Sequence, residues 1–337
     1  MSQKILKLSE LLGIQPKPKL QNHITTQQIS LFDTFGFIKI EGFLKDEVEL
    51  ISNEFDRLMN DRYGQLDPSK PYLYPQFADN SELLTGLLGN EKICKAAQQL
   101  CGDDYIYRGS DGSIFREGSP WHRDCLMRVK SVKMLVYLEK NTFKSGPFCA
   151  IPGSHFVDDM FSAKLTEALM WPEPPVLGGF DEKHVFPPGN NPKIVGQNKQ
   201  IPYCRLDTRP GDVIIFNHNL IHCVNAPIRR KTRRLFGLHF AADIRKVSKD
   251  PVALSEMDAL RGLISAELSQ FKLPSFYGKY VLESQSPAIR RQTEFLRDLS
   301  YNSATEFDGK HSHNSNEIME LCNRLKHKQP PDARLLN

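Results

Sequence analysis

What most restricts the fold of this chain is a change of periodicity along its length. Apolar residues recur at helical spacing before about residue 101, alternate over short stretches between Asp104 and about residue 241, and return to helical spacing after about 245. Spacings of three and four build one face of a helix, whereas strict alternation builds one face of a strand. Many short strands bracketed by helices, with turn residues between them, point to sheets packed face to face and buttressed by helices.

The elements can be placed in outline. Thr25-Thr26-Gln27-Gln28 has capping-box spacing ahead of Ile29, Phe32 and Phe35, which predicts a short helix. A strand is expected over 36–40. Val48, Ile51, Phe55, Leu58 and Met59 mark one face of a second helix beginning near Asp46. Residues 61–80, rich in Pro, Tyr and Asp, read as a loop, and another helix covers about 91–101. Strands follow over 105–108, 113–116, the segment around His122, 131–138, 213–216 (after the turn Pro210-Gly211-Asp212) and 233–241. The fold class is therefore mainly β with flanking helices, a double-stranded β-helix of the jelly-roll or cupin-like kind, whose converging strands leave a mouth. The domain plan is an arm over 1–25, one domain over 26–245, and a helical extension over 246–337 with helices near 254–270, 287–300 and 315–327. Within the domain, 156–202 holds Pro172, Pro174, Pro175, Pro187 and Pro188 without periodicity, as an insertion or lid would.

Composition excludes several classes. Forty-four basic against 40 acidic residues leave a net charge of +4, too balanced to argue for nucleic acid or an anionic membrane as partner. Seven scattered cysteines without a Cys-x-x-Cys pair fit neither a disulfide framework nor a zinc ribbon, and suggest a reducing compartment. No stretch approaches the ~20 apolar residues of a membrane span. A cytoplasmic protein acting on a small-molecule substrate is the expectation.

The chemistry concentrates in Trp121-His122-Arg123-Asp124 and in His222, one hundred residues beyond His122. On a strand, His122 and Asp124 at i and i+2 project to one face, and His222 can complete a triangle from another strand. Two histidines and a carboxylate on one side of an ion leave its other positions open, as in non-heme Fe(II) oxygenases. Arg233, eleven residues after His222, offers a planar guanidinium suited to a carboxylate. Alternation sends Arg233 and Arg234 opposite ways, and Arg233 shares its face with Leu235, Gly237 and His239, where the small Gly237 leaves room for a ligand. His218-Asn-Leu-Ile-His222 has the spacing of a helical zinc pair, but the apolar strand before it and the interval to Arg233 favour His222. A structural His–Asp hydrogen bond is the bland reading of His122 and Asp124.

The order of these motifs resembles the phytanoyl-CoA dioxygenase family of Fe(II)/2-oxoglutarate oxygenases over roughly residues 26–243. The Trp-His-x-Asp segment is matched by Trp121 to Asp124, the Gly-Pro and Pro-Gly-Ser-His stretches by Gly146-Pro147 and Pro152 to His155, and the Pro-Gly-Asp turn by Pro210 to Asp212. The distal pair is matched by His222 and Arg233, with Val224 where the family often has a small hydroxyl residue. The resemblance implies that His122, Asp124 and His222 ligate iron and that Arg233 holds the far carboxylate of 2-oxoglutarate. O2 would be consumed, with succinate and CO2 released. It also implies hydroxylation, since halogenating relatives replace the carboxylate now at Asp124 with a small residue. A small-molecule hydroxylase of secondary metabolism is expected, with a lipid or acyl-CoA hydroxylase as the alternative; a zinc-dependent hydrolase would leave Arg233 idle, and a non-catalytic jelly roll would not need the triad.

Leu135 and Tyr137 share a strand face and either line the co-substrate pocket or pack in the core. Trp121, His155 and His239 read as structural. Arg116, Arg128 and Lys130 read as a solvated face, and Cys125 and Cys223 should point away from the metal.

Overall fold

The computed structural model describes residues 23–300 apart from 69, 117, 126, 143–144, 161, 163–202, 225–231, 272 and 274. Residues 1–22 of the arm, nearly all of the proline-rich insertion and the helix expected near 315–327 lie outside the described residues. In chain order the elements are α1 (Thr26–Phe35), β1 (Phe37–Ile40), α2 (Val48–Tyr63), β2 (Tyr72–Pro75), α3 (Glu82–Gly86) and α4 (Glu91–Cys101). Then come β3 (Tyr105–Phe115), β4 (Ser119–His122), β5 (Ser131–Tyr137), β6 (Phe148–Ala150), β7 (Cys204–Leu206), β8 (Val213–Asn217), β9 (His222–Val224) and β10 (Arg233–Ala242). Helices α5 (Pro251–Phe271), α6 (Lys279–Glu283) and α7 (Pro287–Thr293) follow.

The capping box forms as its spacing implies. Thr25 Oγ1 accepts from the Gln28 backbone N–H at 3.1 Å, and Gln28 Oε1 accepts from the Thr25 N–H at 2.9 Å. The strands build two antiparallel sheets. One has the order β1-β8-β5-β10-β3-β2 and the other β4-β9-β6-β7. Alternation along the larger sheet separates two cores. Its outer face (Ile38, Val132, Met134, Val136, Ile215, Phe236, Leu238, Phe240) packs on Ile51, Phe55 and Met59 of α2 and on Ile93 and Ala97 of α4. Its inner face (Phe37, Leu135, Tyr137, Ile214, Phe216, Leu235) meets Phe148, Ala150 and Leu206 of the smaller sheet. Each large apolar side chain buried this way contributes roughly 1.5–3 kcal/mol. The result is the expected jelly roll.

Two expectations need correction. Residues 61–80 are not all loop, because 72–75 form β2, an edge strand on β3 where prolines are tolerated. The stretches 105–108 and 113–116 are one strand, β3, carried past its polar middle by a bulge opposite His239/Phe240 and by Gly109 at φ 122°. The Pro-Gly-Asp turn is set by close packing. Gly211 has φ 87°, a Cβ there would lie 2.8 Å from the Lys45 Cα, and Asp212 accepts from the backbone N–H groups of Gly42 and Arg209.

The chain after β10 packs on the back of the larger sheet, with Met257, Leu260, Ile264, Val281, Ile289 and Leu296 joining the outer core. Tyr277 stacks on Tyr107 at 5.8 Å and donates to its carbonyl. Asp79 is fully buried beneath them, accepting from the Tyr107 hydroxyl at 2.5 Å and from the Gly278 N–H at 3.2 Å. Burial pushes the Asp79 carboxyl up to about 6.

Candidate metal and co-substrate site

His122 closes β4 and His222 opens β9, and the two are direct partners in the pairing of these strands. Their ring centroids lie 4.3 Å apart. Asp124 Oδ1 is 3.6 Å from the Nε2 atom of each histidine, and the three ligand atoms lie within 4.8 Å of one another. Separations near 3.6 Å are too long for hydrogen bonds. The three atoms are too far apart to bond one another yet converge closely enough for one ion to be held among them, with the histidines drawing together around it. The His222 ring is fixed between Phe148 (5.2 Å, stacked) and Phe216 (4.6 Å). Its Nδ1 lies 2.9 Å from the Leu220 carbonyl, which selects the tautomer with the Nε2 lone pair toward Asp124. Burial, then the nearby His122, pushes the His222 pKa down to about 3, so the ring is neutral and able to ligate. Burial works to raise the Asp124 pKa, but His222 and His122 outweigh it and hold the carboxylate well below its usual range.

Asp124 reaches this position by a route other than strand alternation. β4 ends at His122, and Asp124 lies in the bend that follows. Its backbone N–H and that of Cys125 both donate to the His218 carbonyl, at 3.0 and 3.2 Å. Arg123, between His122 and Asp124, points the other way. Buried, it donates to the carbonyls of Ser154, Ser162 and Asn219, and burial pushes its pKa down to about 10. His218 is not half of a helical zinc pair: it follows β8, is buried, and sets Nδ1 2.9 Å from the Ser131 hydroxyl.

Farther along the inner face, Arg233 is fully buried and donates from Nη1 to the Gly146 carbonyl at 2.9 Å. This gives the Gly-Pro motif a role, since its carbonyl aims the guanidinium. Burial lowers the Arg233 pKa, and the neighbouring Tyr137 phenol opposes that shift. Tyr137 is also fully buried, its hydroxyl has no hydrogen-bond partner among the described residues, and burial pushes its pKa up. Leu135 lies between this end and the triad on the same face of β5. Arg234 turns outward to Glu139 and Asp56. The reasoning that Gly237 leaves room for a ligand is overturned. A Cβ there would fall 2.7 Å from Asp111 Oδ1 and from Lys133 Cε, so the space belongs to charged neighbours that the sequence reading passed over.

The remaining residues fall mostly as expected. Trp121 packs edge-on to Tyr203 at 5.6 Å. Buried His155 lies 3.2 Å from the Asp33 carbonyl. Arg128 pairs with Asp158 and Glu256 on the surface, and Lys130 with Asp33. Cys125 Sγ faces Arg108 and Asn219.

A jelly roll presenting two imidazoles and one carboxylate on one side of an open position is a scaffold of non-heme iron oxygenases. The chain belongs to the phytanoyl-CoA dioxygenase family, whose model matches residues 32–226, more than half of the sequence. It is accordingly a 2-oxoglutarate-dependent oxygenase, with iron and 2-oxoglutarate as its cofactors and O2 as the oxidant. Among solved structures it is similar to HygX from Streptomyces hygroscopicus with nickel and 2-oxoglutarate bound (18% identity, TM-score 0.50, covering 65% of this chain and 88% of that one). It is also similar to the α-ketoglutarate-dependent carbocyclase SnoK from nogalamycin biosynthesis (15% identity, TM-score 0.50, 67% and 87% covered). No curated protein sequence matches it significantly. Among the described residues, no helix is long and apolar enough to cross a membrane.

Proposed function

We propose that this protein hydroxylates an unactivated carbon of a small molecule, with His122, Asp124 and His222 holding Fe(II) and Arg233 holding the far carboxylate of 2-oxoglutarate. The observation that carries this reading is the convergence of the three ligand atoms within 4.8 Å at the inner face that also buries Arg233. Bound there, iron and 2-oxoglutarate supply an oxidant strong enough to break an unactivated C–H bond, with succinate and CO2 released. The protein's part is placement and exclusion of water. The Leu220 carbonyl fixes the His222 tautomer, and the His218 carbonyl holds the bend that presents Asp124. The Gly146 carbonyl orients Arg233, and the Tyr137 hydroxyl supplies a second donor for a carboxylate. Leu135 lines the space between. The retained carboxylate at Asp124 favours hydroxylation over halogenation. A secondary-metabolite substrate is supported by the likeness to SnoK, described as acting in nogalamycin biosynthesis.

Anaerobic addition of Fe(II) and 2-oxoglutarate should produce a weak visible charge-transfer band, and air should then drive succinate release. A protein that binds zinc but never develops the band would end this reading. Asp124→Gly should abolish turnover, and unchanged succinate release would remove Asp124 from the ligand set.

A further inference from the structure

Beside the triad, on the same inner face, lies a second cluster of charged groups. Asp111 Oδ1 is 2.7 Å from Lys133 Nζ and 2.6 Å from His239 Nε2, and its other oxygen accepts from the Ser113 hydroxyl at 3.3 Å. Three adjacent strands supply the group. Gly237 of β10 pairs with Asp111 of β3 and Leu135 of β5, and His239 pairs with Lys133. The absence of a side chain at Gly237 is what lets them meet. Lys133 and His239 hold the Asp111 carboxylate well below its usual pKa against a large opposing effect of burial.

Three observations tie the cluster to the iron site. Lys133 is the direct strand partner of Phe216, whose ring packs on His222. His218, whose carbonyl holds Asp124, lies edge-on to His239 at 5.2 Å, and its buried Nε2 has no hydrogen-bond partner among the described residues. Asp111, Lys133 and His239 also keep side-chain exposures of 15%, 16% and 21%, much like His122 and Asp124 at 19% and 23%. The cluster is thus reachable from solvent, as the proposed ligands are, and Lys133 and His239 stand on the sheet face that carries Leu135 and Leu235.

We propose that Lys133, Asp111 and His239 form the substrate-recognition site, and that it takes a small molecule carrying an ammonium group beside an oxygen acceptor, as in an amino acid or an amino sugar. The ammonium of Lys133 offers donors to the acceptor, and the Asp111 carboxylate accepts from the substrate's ammonium. His239 keeps that carboxylate oriented. The pair is electrically neutral as a unit, so a substrate bearing both kinds of group satisfies it without stranding either charge. A fatty acyl chain would cover both ions and return no hydrogen bond, leaving their desolvation uncompensated. This assignment rests on the oxygenase reading and decides between its two substrate classes.

The test is anaerobic calorimetry on the full chain loaded with Fe(II) and 2-oxoglutarate. A panel of free amino acids and amino sugars is titrated against decanoyl-CoA. At least one panel compound should bind while decanoyl-CoA does not, and Asp111→Asn should weaken that binding by about tenfold or more, as expected for loss of a charge-assisted contact. Lys133→Gln, which keeps the stem and loses the charge, should do the same if Asp111→Asn fails to fold. Binding of decanoyl-CoA in place of the whole panel would overturn the proposal, as would unchanged affinity in the folded variants. Whether amino acids or amino sugars bind separates the two sources of this chemistry. The charge-transfer band of the wild-type protein is recorded first. Its absence counts against the oxygenase reading, whereas its presence with a silent panel counts against this site alone.

Discussion

Arg123 donates to the Ser154 carbonyl at 2.5 Å, tying the bend that carries Asp124 to the Pro-Gly-Ser-His turn. The same guanidinium reaches the Asn219 and Ser162 carbonyls, so one buried side chain joins the segments that carry the candidate triad to the start of the insertion. Arg123→Met should therefore strand several buried acceptors. We expect a loss of about 3 kcal/mol in unfolding free energy, together with weaker metal binding because the bend is no longer anchored. Denaturant unfolding and an anaerobic Fe(II) titration check the two effects. Unchanged values in both would show the clamp to be dispensable.

Arg233 and Arg234 give a paired test. Removing a buried guanidinium that grips a carboxylate costs about 3 kcal/mol or more, which is on the order of a hundredfold in apparent affinity. Arg233→Ala should raise the KM for 2-oxoglutarate by that factor and leave iron binding intact. Arg234→Ala, which loses outward contacts to Glu139, Asp56 and the Phe55 ring, should leave that KM within about twofold. The reverse pattern would place the strand one residue out of register.

Tyr137→Phe separates stability from binding. The buried hydroxyl has no partner among the described residues, so its removal should leave the thermal midpoint unchanged or raise it. If the hydroxyl donates to the co-substrate carboxylate, the KM for 2-oxoglutarate should rise about tenfold, the value of one such hydrogen bond. A core-packing tyrosine would give the first result without the second.

Much of this arrangement was readable from residue order. The alternation in Arg233–Ala242 sorted Arg233 and Leu235 to the inner face, and the interval between His222 and Arg233 set the order of the motifs. Other parts were hidden for physical reasons. The prolines of 61–80 masked an edge strand, since an edge does not need every N–H. Gly109, Asp111 and Gly112 broke the apolar pattern of β3 and split one strand in two. The role of Asp111 was invisible because its partners sit on strands distant in sequence. The signal available was local: Lys133 and His239 are charged or polar positions inside otherwise apolar alternation.

Asp79 makes stability depend on pH. Its folded pKa of about 6 lies above the ordinary carboxyl value, so the stabilisation it brings is complete below about pH 4 and lost as pH rises through 6. A shift of that size corresponds to about 3 kcal/mol. Between pH 4 and pH 7 the stability difference between Asp79→Asn and wild type should move in favour of the variant by up to that amount, whatever the cost of the lost hydrogen bonds at low pH. Denaturant midpoints across this range check it. A pH-independent difference would mean that Asp79 titrates normally.

The pairing of β4 has a mechanical consequence. β4 is an edge strand of the smaller sheet, and among the described residues its register with β9 runs through Ser119↔Val224 and His122↔His222 with an irregularity between. An ion gripped by both histidines would act as a rivet through the second rung, fastening a weakly seamed border to the strand beside it. Iron would then hold the rim of the barrel shut as well as serve the reaction, and a chelator should loosen that rim, seen as faster amide exchange at 119–125, before anything else in the molecule gives way.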